Sequence, residues 1–150
     1  MNIKPIKSNK SSGLIFISAS IIFNISVSVL YIAVKLEKEL LLQVFGAIIL
    51  STALPFTVTL ASYWKNKAGK KIIVSHIFIL FYLFLELLLD YILKIPFREI
   101  LALHIPYIIF FYAAAGSMIA VSFRINKKMG FIVTATFLIL IGCLIYLFSG

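Results

Sequence analysis

The sequence predicts an all-α integral membrane protein, a five-transmembrane-helix antiparallel bundle with its N-terminus in the cytoplasm and its C-terminus outside. Three observations predict it. Of the 150 residues, 63% are hydrophobic and only 13% are charged, whereas soluble domains carry roughly 25% charged residues. The apolar residues form five long runs, and every Lys and Arg lies outside those runs. We therefore expect residues 1–150 to form a single transmembrane domain.

The five apolar runs have the length of membrane-spanning helices. A run of 20 residues is about 30 Å long as α-helix, which matches the hydrocarbon core of a bilayer. Helices also satisfy their own backbone groups in lipid. The connections between the runs are short, so that consecutive helices are expected to be antiparallel neighbours. The predicted spans are 13–34, 40–63, 72–93, 100–123 and 130–148.

The basic residues predict the orientation. Ten of the fourteen Lys and Arg fall on the side of the N-terminus: Lys4, Lys7, Lys10, Lys65, Lys67, Lys70, Lys71, Arg124, Lys127 and Lys128. The other side carries Lys35, Lys38, Lys94 and Arg98. The positive-inside rule therefore places the N-terminus in the cytoplasm. The net charge of +9 consequently indicates topology and contact with anionic lipid, and we expect no binding of nucleic acid.

A polar cluster is predicted near the outer ends of the third and fourth helices. Glu86 and Asp90 are the only acidic residues inside the runs, and their spacing of four places them on one helical face. A charge in a membrane helix costs on the order of 3 kcal/mol, so that such residues rarely occur without a role. The predicted members are Tyr82, Glu86, Asp90, Lys94, Arg98, His104 and Tyr107.

This cluster has two interpretations. As a functional site, the two carboxylates could relay protons, bind a cation or act as acid and base toward a lipophilic substrate. As a structural network, Asp90 would pair with Lys94 or Arg98, and Glu86 with His104 or Tyr82. The acidic and basic groups are nearly balanced, which favours the structural network.

Other polar residues are expected to serve helix packing. Ser20, Asn24 and Ser28 form a stripe on the first helix, which could hydrogen-bond a neighbouring helix. His76 is predicted to lie at the membrane interface near the basic loop, about 15 Å from Glu86 along the helix axis and too far to share a metal with it. The lone Cys143 offers no metal or redox pair. We therefore expect no metal and no cofactor.

Three functional hypotheses follow, in order of preference. The first is a non-enzymatic accessory or lipid-binding protein of the plasma membrane. The second is a small proton- or cation-coupled transporter that uses Glu86 and Asp90. The third is a membrane enzyme acting on a lipid with Glu86, Asp90 and His104 as acid and base groups. The expected partners are membrane lipids, with a second copy or another membrane protein packing against small-residue faces such as 113–120.

Overall fold

A computed structural model describes residues 10–150, and that part of the chain is helical without a β-strand. The helices are α1 (Lys10–Lys35), α2 (Glu39–Ser51), α3 (Ala53–Lys65), α4 (Lys70–Glu86), a π-helical segment (Leu87–Ile92), α5 (Leu101–Ile125) and α6 (Lys127–Phe148). Because α2 continues into α3 and α4 into the π-helical segment, these elements make five helices long and apolar enough to cross a membrane. The predicted number of helices is confirmed.

The second and third long helices differ from regular α-helices. A turn at Thr52 separates α2 from α3, three residues before Pro55. Proline lacks an N–H and crowds the preceding turn, which accounts for an interruption at this place. The third long helix changes to the wider π form from Leu87, where the sequence predicted continuous α-helix.

Helix α1 is the most buried of the five long helices and contacts the others. Near its start, the Phe16 ring lies 5.4 Å from the ring of Phe56 and 5.0 Å from that of His76. Further along α1, the centroid of the Phe23 ring lies 5.9 Å from that of Tyr82 and 6.3 Å from that of Phe111. These rings join α1 to α3, α4 and α5, so that the core is largely aromatic.

The surface of the bundle exposes many large apolar side chains. Leu54 is 73% exposed, Leu138 is 63% exposed and Ile109 is 61% exposed, and all lie in mid-helix positions. Soluble proteins rarely expose apolar residues over whole helices. This surface is therefore typical of helices that face lipid.

The two ends of the bundle differ in charge. One, the lysine-rich end, contains Lys10, Lys65, Lys67, Lys70, Lys71, Arg124, Lys127 and Lys128 and no acidic residue. The other, the Arg98 end, contains Lys35, Lys38, Lys94, Arg98 and all five acidic residues, Glu37, Glu39, Glu86, Asp90 and Glu99. Lys4 and Lys7 of the predicted basic side lie outside the described residues.

Contacts at both ends show how α1 lies relative to α3 and α6. At the lysine-rich end, the hydroxyls of Ser12 and Ser62 are 2.6 Å apart, which places the start of α1 beside the end of α3. At the Arg98 end, the Lys35 ammonium donates to the carbonyls of Tyr146 and Ser149 at 2.5 and 2.6 Å. The positive charge of Lys35 thereby offsets the partial negative charge that the unpaired carbonyls and the helix dipole place at the C-terminal end of α6.

Candidate functional site

The carboxylate of Glu86 is buried between two tyrosine hydroxyls. Only 8% of the residue is exposed. Tyr82, one turn earlier on α4, donates to Oε2 of Glu86 at 3.3 Å, and Tyr107 of α5 donates to the same oxygen in a shorter hydrogen bond. The two hydroxyl oxygens are 3.0 Å apart. Glu86 is thereby tied to its own helix and to α5.

Asp90 and Arg98 form the half of the cluster that is nearer to the end of the bundle. The Nη1 and Nη2 atoms of Arg98 donate to Oδ1 and Oδ2 of Asp90 at 3.0 and 3.1 Å, a two-bond pairing that fits guanidinium and carboxylate geometry. Nη2 also lies 4.0 Å from Oε1 of Glu86. One arginine therefore bridges both carboxylates.

The segment between the third and fourth long helices holds Arg98 in place. Phe97 is fully buried, and its ring lies 4.6 Å from the Tyr107 ring. The Arg98 guanidinium lies over the Phe97 ring, 4.5 Å from its centroid. Burial opposes the charged form of Arg98, but hydrogen bonds and charge from Asp90 outweigh it and raise its pKa above the ordinary value. The guanidinium is therefore charged at physiological pH.

The π-helical segment shapes this end of the bundle. The N–H of Leu93 donates to the Leu88 carbonyl at 2.8 Å, and the N–H of Ile95 reaches back to the Leu89 carbonyl at 3.0 Å. Lys94, between those donors, has a left-handed φ of 49°. A π turn contains one residue more than an α turn, and such turns are frequent at functional sites. Asp90 lies in this wide turn, within reach of Arg98.

The structure does not bring all seven predicted residues together. It joins Tyr82, Glu86, Asp90, Arg98 and Tyr107, and Asp90 takes Arg98 rather than Lys94 as its partner. Lys94 is exposed. The ring of His104 stacks at 6.5 Å on that of Tyr107. In the described part of the chain its buried Nδ1 has no hydrogen-bond partner, and no bond joins it to Glu86.

An open depression of about 460 Å³ lies beside this network. Its lining residues are Asp90, Lys94, Ile95, Pro96, Arg98 and Glu99. Glu86 does not line it. The depression therefore gives access to the outer pair of the cluster but not to the buried carboxylate.

The predicted stripe on α1 divides its hydrogen bonds between two tasks. The amide nitrogen of Asn24 donates to the Thr136 hydroxyl at 2.9 Å, which links α1 to α6. Ser20 and Ser28 donate to carbonyls of their own helix, those of Phe16 and Asn24. Both serines are buried, so that they help packing by their small size rather than by bonds between helices.

His76 is a buried core residue of the bundle, and its predicted level at the membrane interface stays a prediction. It has no exposed surface and lies between the rings of Phe16 and Tyr63, at 5.0 and 5.3 Å. Nδ1 is 2.9 Å from the Ile72 carbonyl, and Nε2 is 3.1 Å from the Thr59 hydroxyl. Hydropathy along one helix could not show that α1 and α3 cover this face.

Sequence reasoning also missed Phe97 and Lys35. Phe97 follows Pro96 in a charged connection, where an aromatic residue gave no signal of burial. Lys35 was counted only as a topological charge, but it binds the end of α6 and lies 4.2 Å from the centre of the Tyr146 ring. Both roles depend on helices that are distant in sequence.

Residues 10–150 contain no group of three or more His, Cys, Asp and Glu side chains arranged to hold a metal ion. No protein-family model, no curated protein and no solved structure matches this chain.

Proposed function

We propose that the chain is a non-enzymatic lipid-binding protein of the plasma membrane, with its N-terminus and lysine-rich end in the cytoplasm and its C-terminus outside. In this proposal the lysine-rich end binds the headgroups of anionic lipids. The polar cluster at the Arg98 end holds α4 against α5.

The observation that carries the proposal is the position of the lysines on the helices. Lysines occupy the first turns of two long helices that begin at the lysine-rich end, Lys70 and Lys71 in α4 and Lys127 and Lys128 in α6, and Lys10 is the first described residue of α1 at the same end. No acidic residue occupies any of these first turns. A cation at a helix N-terminus is unfavourable by about 0.3–1 kcal/mol, because it faces the positive end of the helix dipole.

Lysines retained at unfavourable positions need a compensating partner outside the helices. These lysines are exposed, and no ion pair within residues 10–150 involves them. An anionic leaflet attracts each nearby lysine by about 1 kcal/mol, which is enough to offset the helix dipole. The same residues are the positive-inside signal, so that orientation and lipid binding rest on one set of charges.

The geometry of the cluster supports a structural role for its acids. Asp90 accepts two bonds from Arg98, and Glu86 accepts bonds from two tyrosines. An acid–base enzyme would need a free carboxylate beside a substrate pocket. His104 bonds to neither acid, which leaves the enzyme hypothesis with the weakest support.

The first experiment measures lipid binding. The thermal unfolding midpoint of the purified protein is followed in neutral detergent as phosphatidylglycerol or phosphatidylcholine is added. We expect phosphatidylglycerol to raise the midpoint, and K70Q/K71Q to weaken its binding about tenfold, since two lysines contribute about 2 kcal/mol before screening. K38Q, which removes an exposed lysine at the opposite end outside the depression beside Arg98, is the control and is compared with the single variant K70Q. Equal losses in the two variants would contradict the proposal.

A second experiment measures orientation. In a Cys143→Ser background, Lys67→Cys and Ser149→Cys place one thiol at each end of the bundle. We expect a membrane-impermeant maleimide to label Cys at position 149 in intact cells and Cys at position 67 only after the membrane is opened. The reverse pattern would contradict the proposed orientation.

The second candidate function is a proton-coupled transporter, which the burial of Glu86 within a long apolar helix favours. Proton flux into liposomes containing the wild type would be compared with flux into liposomes containing Glu86→Gln and Asp90→Asn. Flux that only Glu86→Gln abolishes would establish transport and displace the lipid-binding proposal as the main function.

A further inference from the structure

We infer that the depression at the Arg98 end binds the headgroup of a zwitterionic phospholipid that carries a primary amine. Phosphatidylethanolamine is the lipid class with this chemistry. The inference rests on the proposed membrane insertion. It does not depend on the binding of anionic lipid, which involves the opposite end of the bundle.

The lining of the depression is balanced in charge, with two cations and two acids beside Ile95 and Pro96. Asp90 and Arg98 already neutralise each other through their paired hydrogen bonds. Lys94 and Glu99 are both exposed, and neither forms an ion pair with another described residue. The depression thus presents one uncommitted ammonium and one uncommitted carboxylate.

This pair of uncommitted charges selects the ligand. A simple anion would pair with Lys94 but would be repelled by the Glu99 carboxylate. A simple cation would pair with Glu99 but would be repelled by the Lys94 ammonium. A phosphate joined to an ammonium by a short linker satisfies both. A primary ammonium also donates hydrogen bonds to Glu99, which the quaternary ammonium of phosphatidylcholine does not.

Arg98 adds donors for the phosphate. Its guanidinium has five N–H groups, of which one on Nη1 and one on Nη2 bind Asp90. The side chain is 51% exposed, so that remaining N–H groups are open to a ligand. Arginine held rigidly by a carboxylate and an aromatic ring is pre-organised for phosphate.

The surroundings of the depression favour a lipid over a soluble phosphoamine. Apolar side chains just before and after the connection are exposed: Ile92 (61%), Leu93 (52%), Ile100 (42%) and Leu101 (70%). They lie where the third and fourth long helices meet the connection, at the level expected for the junction of headgroups and acyl chains. Acyl chains would cover these residues, and a soluble headgroup would leave them uncovered.

The test uses lipid titrations of the full chain in neutral detergent, read by the thermal unfolding midpoint. K94Q/E99Q removes both uncommitted charges without a change in net charge. K38Q/E39Q does the same at an exposed site of the same end, outside the depression, and is the matched control. We expect K94Q/E99Q to require at least fivefold more phosphatidylethanolamine for half of the shift, and K38Q/E39Q to behave as the wild type.

Three results would overturn the inference. The first is an unchanged phosphatidylethanolamine response in K94Q/E99Q. The second is an equal response to phosphatidylcholine. The third is half-maximal stabilisation by soluble glycerophosphoethanolamine at the same concentration as by the lipid, which would identify a soluble zwitterion instead. The phosphatidylglycerol response separates the two proposals, because it depends on Lys70 and Lys71 and should be intact in K94Q/E99Q.

Discussion

The lysine-rich end and the Arg98 end carry their charges in different ways. At the first, seven described lysines and Arg124 occur without an acidic residue, and no described ion pair involves them. At the second, Arg98 joins two carboxylates that lie on one helix, above a buried phenylalanine. In the proposed bilayer, charges of the first kind are available to lipid headgroups, whereas charges of the second kind form ion pairs that hold the third long helix against α5.

This comparison separates two energetic roles. Exposed single charges contribute little to folding and much to interactions with a charged surface. A partly buried network contributes to folding mainly through the penalty that follows when one partner is removed. Four predictions test that separation, from the largest expected effect to the smallest.

Arg98→Gln should destabilise the protein by about 2 kcal/mol, because it leaves Asp90 and Glu86 without their shared cation. The value lies below the 3–5 kcal/mol typical of fully buried pairs, since Arg98 is half-exposed. The free energy of unfolding in mixed micelles measures it. Arg124→Gln, at the lysine-rich end, is the control and should change stability by less than about 0.5 kcal/mol. Adding Asp90→Asn to Arg98→Gln should recover part of the loss.

Tyr107→Phe should cost about 1.5 kcal/mol, because a hydrogen bond from a hydroxyl to the Glu86 carboxylate is lost in a buried place. The same unfolding measurement applies. Tyr112→Phe is the matched control, since Tyr112 lies on the same helix, is 41% exposed and makes no such bond. Similar losses in the two variants would show that the Glu86 network does not stabilise the bundle.

Lys67→Gly and Glu37→Gly should each stabilise the protein by up to about 1 kcal/mol. Both residues have a left-handed φ, 52° and 53°, in the same helix-ending turn at opposite ends of the bundle. In each turn the residue that follows donates its N–H to a carbonyl five residues back. The N–H of Ala68 donates to the Tyr63 carbonyl, and the N–H of Lys38 donates to the Ala33 carbonyl. Glycine adopts this conformation without steric cost.

Thermal unfolding can compare these variants with Lys65→Gly, which places glycine inside the last turn of α3 and should destabilise by about 0.5–1 kcal/mol. A loss of stability at position 67 or 37 would contradict the expected relief of backbone strain.

K70Q/K71Q should change stability in neutral detergent by no more than about 0.5 kcal/mol, with a small gain favoured. The two lysines face the positive end of the α4 dipole, and without anionic lipid nothing offsets that repulsion. Chemical unfolding with and without phosphatidylglycerol measures both states. A large loss in detergent alone would show that these lysines support the fold rather than bind lipid.

Particular residues show how much the sequence could predict. The five long helices were predictable because the apolar runs are nearly uninterrupted and their length matches the described helices. The pairing of Glu86 with Tyr82 was predictable from helical spacing alone. Tyr107 was foreseen only as a nearby residue, and Arg98 only as one of two alternative partners of Asp90, since the exact partners depend on how α5 packs on α4 and on the π turn.

His76 and Phe97 show why prediction from the sequence was incomplete. His76 is near the basic loop in sequence, yet rings from α1 and α3 enclose it. Phe97 lies in a connection that contains charged residues, yet its ring packs against the Tyr107 ring and against the Arg98 guanidinium. Burial of a single residue depends on its neighbours in space, which periodicity along one helix does not specify.

By itself the sequence determined the helical class, the number of long helices and the separation of charge between the two ends. These follow from composition and from the spacing of polar residues, because backbone hydrogen bonding and apolar transfer act locally along the chain. Only the tertiary structure decided that Arg98 rather than Lys94 holds Asp90, that His76 is in the core, and that Lys35 binds the end of α6. Those outcomes depend on which helices are neighbours and on a single extra residue in one helical turn, and both are set by packing.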